Sequence, residues 1–293
     1  MNKLIFPLLS LLLLFQACKE QPVGIELIEH EMEDTTYVTT PASPNTKMYL
    51  LEELTGVRCV NCPEGAEALK ELNTMHNNEF VIVAHHFGSL TSPISGKSIQ
   101  DFRTPMGSQI MDLIFGGQSN KPSVSFDRLP LSVGFNPFFV DGLSNWPAAV
   151  QQMKDQVNTS PINLEMSSSE IKENEYNIHT KVSFTEDVDF PVNLHIYFAE
   201  NNIWDGFVGS DTLIRYDHVF RTSLTGAQGK PILRAFETIE AGRVYELNTK
   251  FIKNQQDEKE QYWNLDEMQV ILFVTRQGDQ HKNVLQVMEA PLK

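Results

Sequence analysis

Apolar residues follow three rhythms along this chain. Ile5 to Phe15 is almost unbroken apolar sequence, mostly leucine. From Met48 short apolar runs mix with helical spacing, and from Pro161 the pattern settles into alternation. Each rhythm predicts a different structure. A helix repeats its buried face about every 3.6 residues, a half-buried strand every two.

The first run follows Met1-Asn2-Lys3 and ends in Gln16-Ala17-Cys18. A positive start, an apolar core too short to span a bilayer and a small residue near the end describe a secretory signal over residues 1–17. A cysteine directly after Ala17 resembles a bacterial lipobox, with Phe15 where leucine is usual. The resemblance implies that Cys18 is acylated and becomes the mature N-terminus, held by two or more buried chains. Lys19-Glu20-Gln21 resembles a surface-export tract, so both the periplasmic leaflet of the outer membrane and the cell surface stay open. Residues 18–47 are acidic, then Thr- and Pro-rich, which is tether composition with one strand at Val23–Ile28.

The mixed region, 48–159, reads as α/β. Strands are expected at Met48–Leu54, Phe80–Ala84 and Ser123–Phe126. A helix is expected at Pro63–His76, with Ala66, Leu69, Leu72 and Met75 inward and Glu64, Glu67, Lys70 and Glu71 outward. Ile99–Phe115 reads as a helix interrupted near Thr104-Pro105, and Asn145–Val157 as a second amphipathic helix. The order is that of a thioredoxin-like domain, with residues 88–120 inserted. The alternating region, 160–293, has strands at Tyr176–Phe184, Val192–Phe198, Val244–Phe251 and Met268–Val274. About seven strands of this kind suggest an all-β, immunoglobulin-like sandwich.

Charge narrows the function. The net charge is −15, and residues 1–17 carry one lysine and no acid, so removing them gives −16. Such acidity argues against nucleic-acid binding and against electrostatic docking on anionic lipid. The acyl group is then the attachment to the membrane.

The chain has three cysteines, and two form the pair Cys59-Val60-Asn61-Cys62-Pro63. The pair sits between a strand end and a helix start. Free N–H groups and a partial positive charge at that point stabilise a thiolate, and Arg58 adds a full charge beside Cys59. Two intervening residues let the sulfurs cycle between dithiol and disulfide. Thioredoxin-like folds also place a cis-proline before a strand against the dithiol, and Pro122 precedes Ser123–Phe126 in that manner. Arg58 stands where such motifs usually carry tryptophan.

The signal with its lipobox, Leu51-Glu52-Glu53-Leu54-Thr55-Gly56, Cys59-Val60-Asn61-Cys62-Pro63, the Gly116-Gly117 to Pro122 segment and the β-rich C-terminal region resemble the Omp28-related outer membrane proteins of Bacteroidota. The resemblance implies a lipid-anchored envelope protein with a thioredoxin-like head. Cys59 is expected as exposed nucleophile and Cys62 as resolving thiol, with Pro122 and Arg58 in support. Two functions remain open. One is thiol–disulfide exchange on a protein thiol or disulfide of the envelope. The other is a non-enzymatic surface binding or adhesion lipoprotein whose C-x-x-C is a structural disulfide. No cofactor or metal is called for, although His85-His86 at a strand end would let one imidazole approach the sulfurs. In the C-terminal region, Trp204-Asp205-Gly206, Asp211 and Tyr216-Asp217-His218 form a polar-aromatic region that reads as a hydrated loop between strands, with a ligand or calcium site as the alternative.

The anchor is directly testable. Cys18→Ala is expected to move the protein from the membrane to the soluble fraction after cell lysis. Carbonate-resistant membrane association of that variant would refute acylation at Cys18.

Overall fold

A computed structural model of the chain describes residues 32–117, 120–133, 138–278 and 282–293. Cys18, the signal and the strand expected at Val23–Ile28 lie outside the described residues. The chain is β-rich, with a nine-stranded sheet, a four-stranded sheet and a two-stranded hairpin.

The first half contains β1 (Glu33–Val38), β2 (Tyr49–Thr55), α1 (Cys62–Met75), β3 (Phe80–His86), α2 (Pro105–Phe115), β4 (Ser123–Phe126), β5 (Val140–Asp141) and α3 (Trp146–Gln156). The second contains β6 (Ile162–Lys172), β7 (Glu175–Phe184), β8 (Val192–Glu200), β9 (Ile203–Asp205), β10 (Ile214–Tyr216) and β11 (Val219–Ser223). It ends with β12 (Lys230–Ile232), β13 (Arg243–Ile252), β14 (Met268–Arg276) and β15 (Val284–Pro291).

β2 and β3 run parallel, while β4 lies antiparallel on β2 and β5 on β4. The sheet does not stop at β3. β11 joins it in parallel at Val219 opposite Ala84, then pairs antiparallel with β8, and β14 and β15 follow. The α/β half and the alternating half therefore share one sheet. The four-stranded sheet, β1-β13-β7-β6, packs against its distal part.

Alternate residues along the shared sheet serve different cores. On one face, Leu50, Leu54, Val81, Val83, Tyr197 and Phe273 meet α2 through Ile110, Met111, Ile114 and Phe115. On the other face, Leu51, Ile82 and Val124 meet α1 and α3, while Leu194, Ile196, Leu272 and Val274 meet the four-stranded sheet. This explains why β8 is buried at every position. The polar members of its alternation, Asn193, His195 and Tyr197, do not face water.

Three sequence expectations shift. The described part of the tether, residues 32–47, packs on the body of the protein. β1 is an edge strand on β13, and Asn45 N–H donates to Asn163 Oδ1 at 2.7 Å. The acidic, Thr-rich composition of β1 suits an exposed edge, where charge discourages further pairing. In α1 the buried set is Cys62, Gly65, Leu69 and Leu72, while Met75 is exposed. The face is set by Pro122, since a Cβ on Gly65 would lie 2.9 Å from Pro122 Cβ. Finally, the helix expected from Ile99 starts at Pro105. Thr104 is its extended N-cap and accepts the Gly107 N–H at 2.9 Å, so capping fixes the start.

Polar contacts tie the two halves together beneath α2. Glu52 and Arg128 form a fully buried pair, with Nε to Oε2 at 2.7 Å and NH2 to Oε1 at 2.9 Å. Arg128 also donates to Tyr197 Oη at 3.1 Å and lies over the Phe273 ring. Burial alone would raise the Glu52 carboxyl. Arg128, with His85 at 3.2 Å, outweighs burial and holds it down at about 2. Next to it, Lys47 and Asp127 form a second buried pair at 2.8 Å, and Asp127 O accepts the Val284 N–H of β15.

Arg128→Met leaves the Glu52 carboxylate buried without its partner, and is expected to cost about 3–5 kcal/mol in urea denaturation. The double variant Glu52→Leu/Arg128→Met should recover much of that loss. Equal stability of wild type and Arg128→Met would show the pair to be dispensable.

Candidate functional site

The Cys59–Cys62 turn follows directly from β2. Cys59 N–H donates to Gly56 O and Cys62 N–H to Cys59 O, both at 3.0 Å, which curls the chain into α1. Cys62 is the first residue of the helix, and Asn61 provides no side-chain cap. The two cysteines are joined in a disulfide. The Lys121–Pro122 bond is cis, and Pro122 packs on α1 at Gly65, one turn from Cys62.

Two loops close over this turn. Arg58 N–H donates to Leu90 O at 2.9 Å, and the Arg58 guanidinium donates to Ser92 O and Pro93 O at 2.8 and 2.7 Å. A Cβ on Gly56 would lie 2.4 Å from Leu90 O, so the loop approaches this closely only over glycine. From the second half, Val208 N–H donates to Val57 O at 3.0 Å. Both cysteines are consequently only 3% exposed, whereas Val60 between them is 68% exposed. Cys59 is thus not the open nucleophile that its position in the motif suggests. Arg58 holds a loop by its guanidinium. Leu90 and Val208, both exposed, flank the turn and with Val60 give it an apolar rim.

A cavity of about 330 Å³ opens beside the pair. Its walls are α1 (Cys62, Pro63, Ala66), the ends of β2 and β3 (Glu53, Thr55, His86), and the 207–218 segment (Phe207, Tyr216, His218). The site is therefore composite, with aromatic walls from residues distant in sequence from the dithiol. The segment is only partly a hydrated loop: Val208, Gly209 and residues 211–213 are exposed, whereas Asp205 and Phe207 are buried. Asp205 is fully buried and accepts the Ile99 and Gln100 N–H groups at 3.0 and 2.9 Å, fixing the β9–β10 hairpin to the inserted loop.

Residues 135–293 match the family described as outer membrane protein Omp28. The chain belongs to the Omp28 family. The match covers the β-rich half and lies outside the dithiol. Among curated proteins no match is found. Among solved structures, HBP35 of Porphyromonas gingivalis is similar with a TM-score of 0.63 and 15% identity, over 86% of this chain and 77% of that one. It shows a shared fold. A protein of Agrobacterium tumefaciens has a TM-score of 0.49 at 9% identity, over 84% of this chain and 95% of that one. A domain of the outer membrane lipoprotein Omp28 from Porphyromonas gingivalis has a TM-score of 0.32 at 12% identity, over 47% of this chain and 92% of that one.

In this Omp28 family member, two residues outside the C-x-x-C motif give the cavity its chemistry: Glu53, and His86 of the His85-His86 pair expected near the sulfurs. Glu53 is buried, its Oε1 has no hydrogen-bond partner, and burial pushes its carboxyl up to about 7 against a hydrogen bond from Thr55. His86 is buried with neither ring nitrogen paired; burial, then Arg221, lowers it to about 3, and its ring packs edge-on to Phe102 and Tyr216. Its neighbour His85 points to the opposite face, toward Glu52. Among the described residues no three His, Cys, Asp or Glu side chains are grouped to hold a metal. Glu53 was visible only as one of two adjacent glutamates in an apolar strand. An acid in such a strand is an anomaly that marks a buried charge.

A carboxyl that binds its proton more tightly folded than unfolded favours the native state at low pH. For Glu53 that advantage is complete below about 4.5 and is lost as pH rises through about 7. The loss amounts to about 3 kcal/mol at alkaline pH. Glu53→Gln should abolish this decline, as measured by urea unfolding across that range. An unchanged pH slope in the variant would contradict the assignment.

Proposed function

We propose that this chain is a lipid-anchored outer membrane protein whose head is a thioredoxin-like domain exchanging thiols and disulfides at Cys59 and Cys62. In this reading residues 48–159 form the head and 160–293 an immunoglobulin-like sandwich fused to it. The order β3-β2-β4-β5, α2 opposite α1 and α3, and Pro122 against the dithiol helix support the head. Membership of an outer membrane family supports the location, and Cys18 is the attachment point.

One observation carries the redox reading. A carboxyl with an unpartnered oxygen shares a cavity with Cys62. A disulfide that only braces the fold has no use for a buried acid that destabilises the protein at neutral pH. Exchange does. A substrate thiolate attacks Cys59 Sγ, the Cys59–Cys62 bond breaks, and Cys62 leaves as a thiolate that takes the Glu53 proton. A second substrate thiolate then attacks the substrate sulfur of the mixed disulfide and Cys59 leaves. The pair ends reduced and the substrate dithiol ends as a disulfide. The apolar rim of Val60, Leu90 and Val208 suits a protein substrate with exposed apolar side chains. Arg58 adds positive charge beside Cys59 while holding the loop.

The burial of both sulfurs favours the second reading, a surface binding protein with an inert bridge. The two separate in a glutathione redox titration. The exchange reading expects Cys62→Ser to form a mixed disulfide with glutathione through Cys59, and Cys59→Ser to form far less. It also expects Glu53→Gln to slow exchange about tenfold near pH 7, the lower end of a general acid–base contribution. A wild-type pair that stays oxidised below about −300 mV would establish the inert bridge.

A further inference from the structure

At the other end of β8, away from the dithiol, a second cavity of about 380 Å³ lies between the end of α2, the start of β8, the end of β14 and the segment 228–234 that carries β12. Its lining is anomalous for an acidic chain. Arg128, Arg234, Arg276 and Lys282 line it, and no acidic residue does among those described. Arg128 is matched by Glu52 and forms the floor. Arg234 stands exposed at the mouth, and Arg276 lies over the Phe190 ring at 4.4 Å, which holds its guanidinium at the cavity wall. Among the described residues neither guanidinium has a carboxylate partner. Lys282 is held at the rim by Ile114 O at 2.9 Å.

We infer that this cavity binds a phosphomonoester carried on a hydroxylated ring, as in a sugar phosphate. The charge argues for phosphate over carboxylate. The two guanidiniums without a carboxylate partner, Arg234 and Arg276, exceed what one carboxylate neutralises, whereas a phosphomonoester carries nearly two negative charges at neutral pH. Arginine presents paired N–H donors that match phosphate oxygens. The volume argues for more than a bare oxyanion, since it lies in the range of small-molecule sites. The remaining lining argues for hydroxyl groups. Asn193 Oδ1 and His195 Nδ1 are buried and unpartnered, and Asn193 Nδ2 is committed to Gln228 O at 2.9 Å. Asn193 Oδ1 can only accept, so it wants a donor that phosphate does not supply and a sugar hydroxyl does. Burying such groups without partners is costly, and a ligand that pairs them recovers that cost.

The same chemistry occurs in a free sugar phosphate and in a lipid headgroup, and calorimetry on the full chain in neutral detergent separates them. The probes are inorganic phosphate, glucose, glucose 6-phosphate, and phosphatidylinositol 4-phosphate in mixed micelles. Glucose 6-phosphate is expected to bind saturably and more tightly than inorganic phosphate, with glucose alone inert. Arg276→Gln and Arg234→Gln should each weaken it about tenfold, the scale of one charge-assisted hydrogen bond. Tighter binding of the micellar probe supports the site and assigns it to a lipid headgroup; equal or weaker binding supports it and assigns it to a free ligand. Arg234 is exposed and outside the core, so its variant keeps the test valid if Arg276→Gln unfolds. No saturable binding of any phosphate probe, or unchanged binding in the Arg234→Gln variant, overturns the inference.

Discussion

The buried Glu52–Arg128 pair is the constraint around which the molecule is arranged. Glu52 belongs to β2 of the α/β half. The Arg128 that matches it reaches Tyr197 on β8 and Phe273 on β14 of the other half. Neither charge can be buried alone, because desolvation without a partner costs several kcal/mol. Both charges belong to the first half, and the second half seals them with the Tyr197 hydroxyl and the Phe273 ring. Asp127 and Arg128 both hold positive φ, a strained turn for non-glycine residues. The turn persists because each side chain ends in a buried ion pair. α2 then covers the seam and keeps water from it.

The shared sheet has a functional counterpart. The dithiol is carried by the first half, but its cover and much of its cavity come from the second. Phe207, Tyr216 and His218 stand across from Cys62, and Val208 is bonded to Val57. The approach to the sulfurs is bounded by both halves at once. Arg58 takes the place of the usual aromatic in the motif, yet aromatic surface is present, imported from the β9–β10 hairpin. The motif's immediate neighbours were a poor guide to the surroundings of the sulfurs.

Much of the fold was legible in the sequence where local physics decides it. β4 runs from Ser123 to Phe126 as expected, and β7, β8, β13 and β14 begin or end within two residues of the alternating runs. Periodicity reports which side of a strand is buried, and it does so well. It does not report the neighbouring strand, so the junction made by the five residues of β11 left no trace. Nor does it separate a core from a solvated face when both faces are buried, as on β8. β1 was hidden because an edge strand is polar, like a tether. The dithiol was plain from spacing. Glu53 and the aromatic walls were not, since their role depends on packing between segments some 150 residues apart in sequence.

The junction at β11 also bears on how the protein is made. An exported chain crosses the inner membrane N-terminus first. The strands β2, β3 and β4 are then available long before Val219 emerges. Until it does, the β3 edge at Ala84 is unpaired, and the face destined for Tyr197 and Phe273 is bare. Such an edge invites pairing with another chain. The first half thus passes through a vulnerable interval that ends only when its own C-terminal strands arrive to complete the sheet.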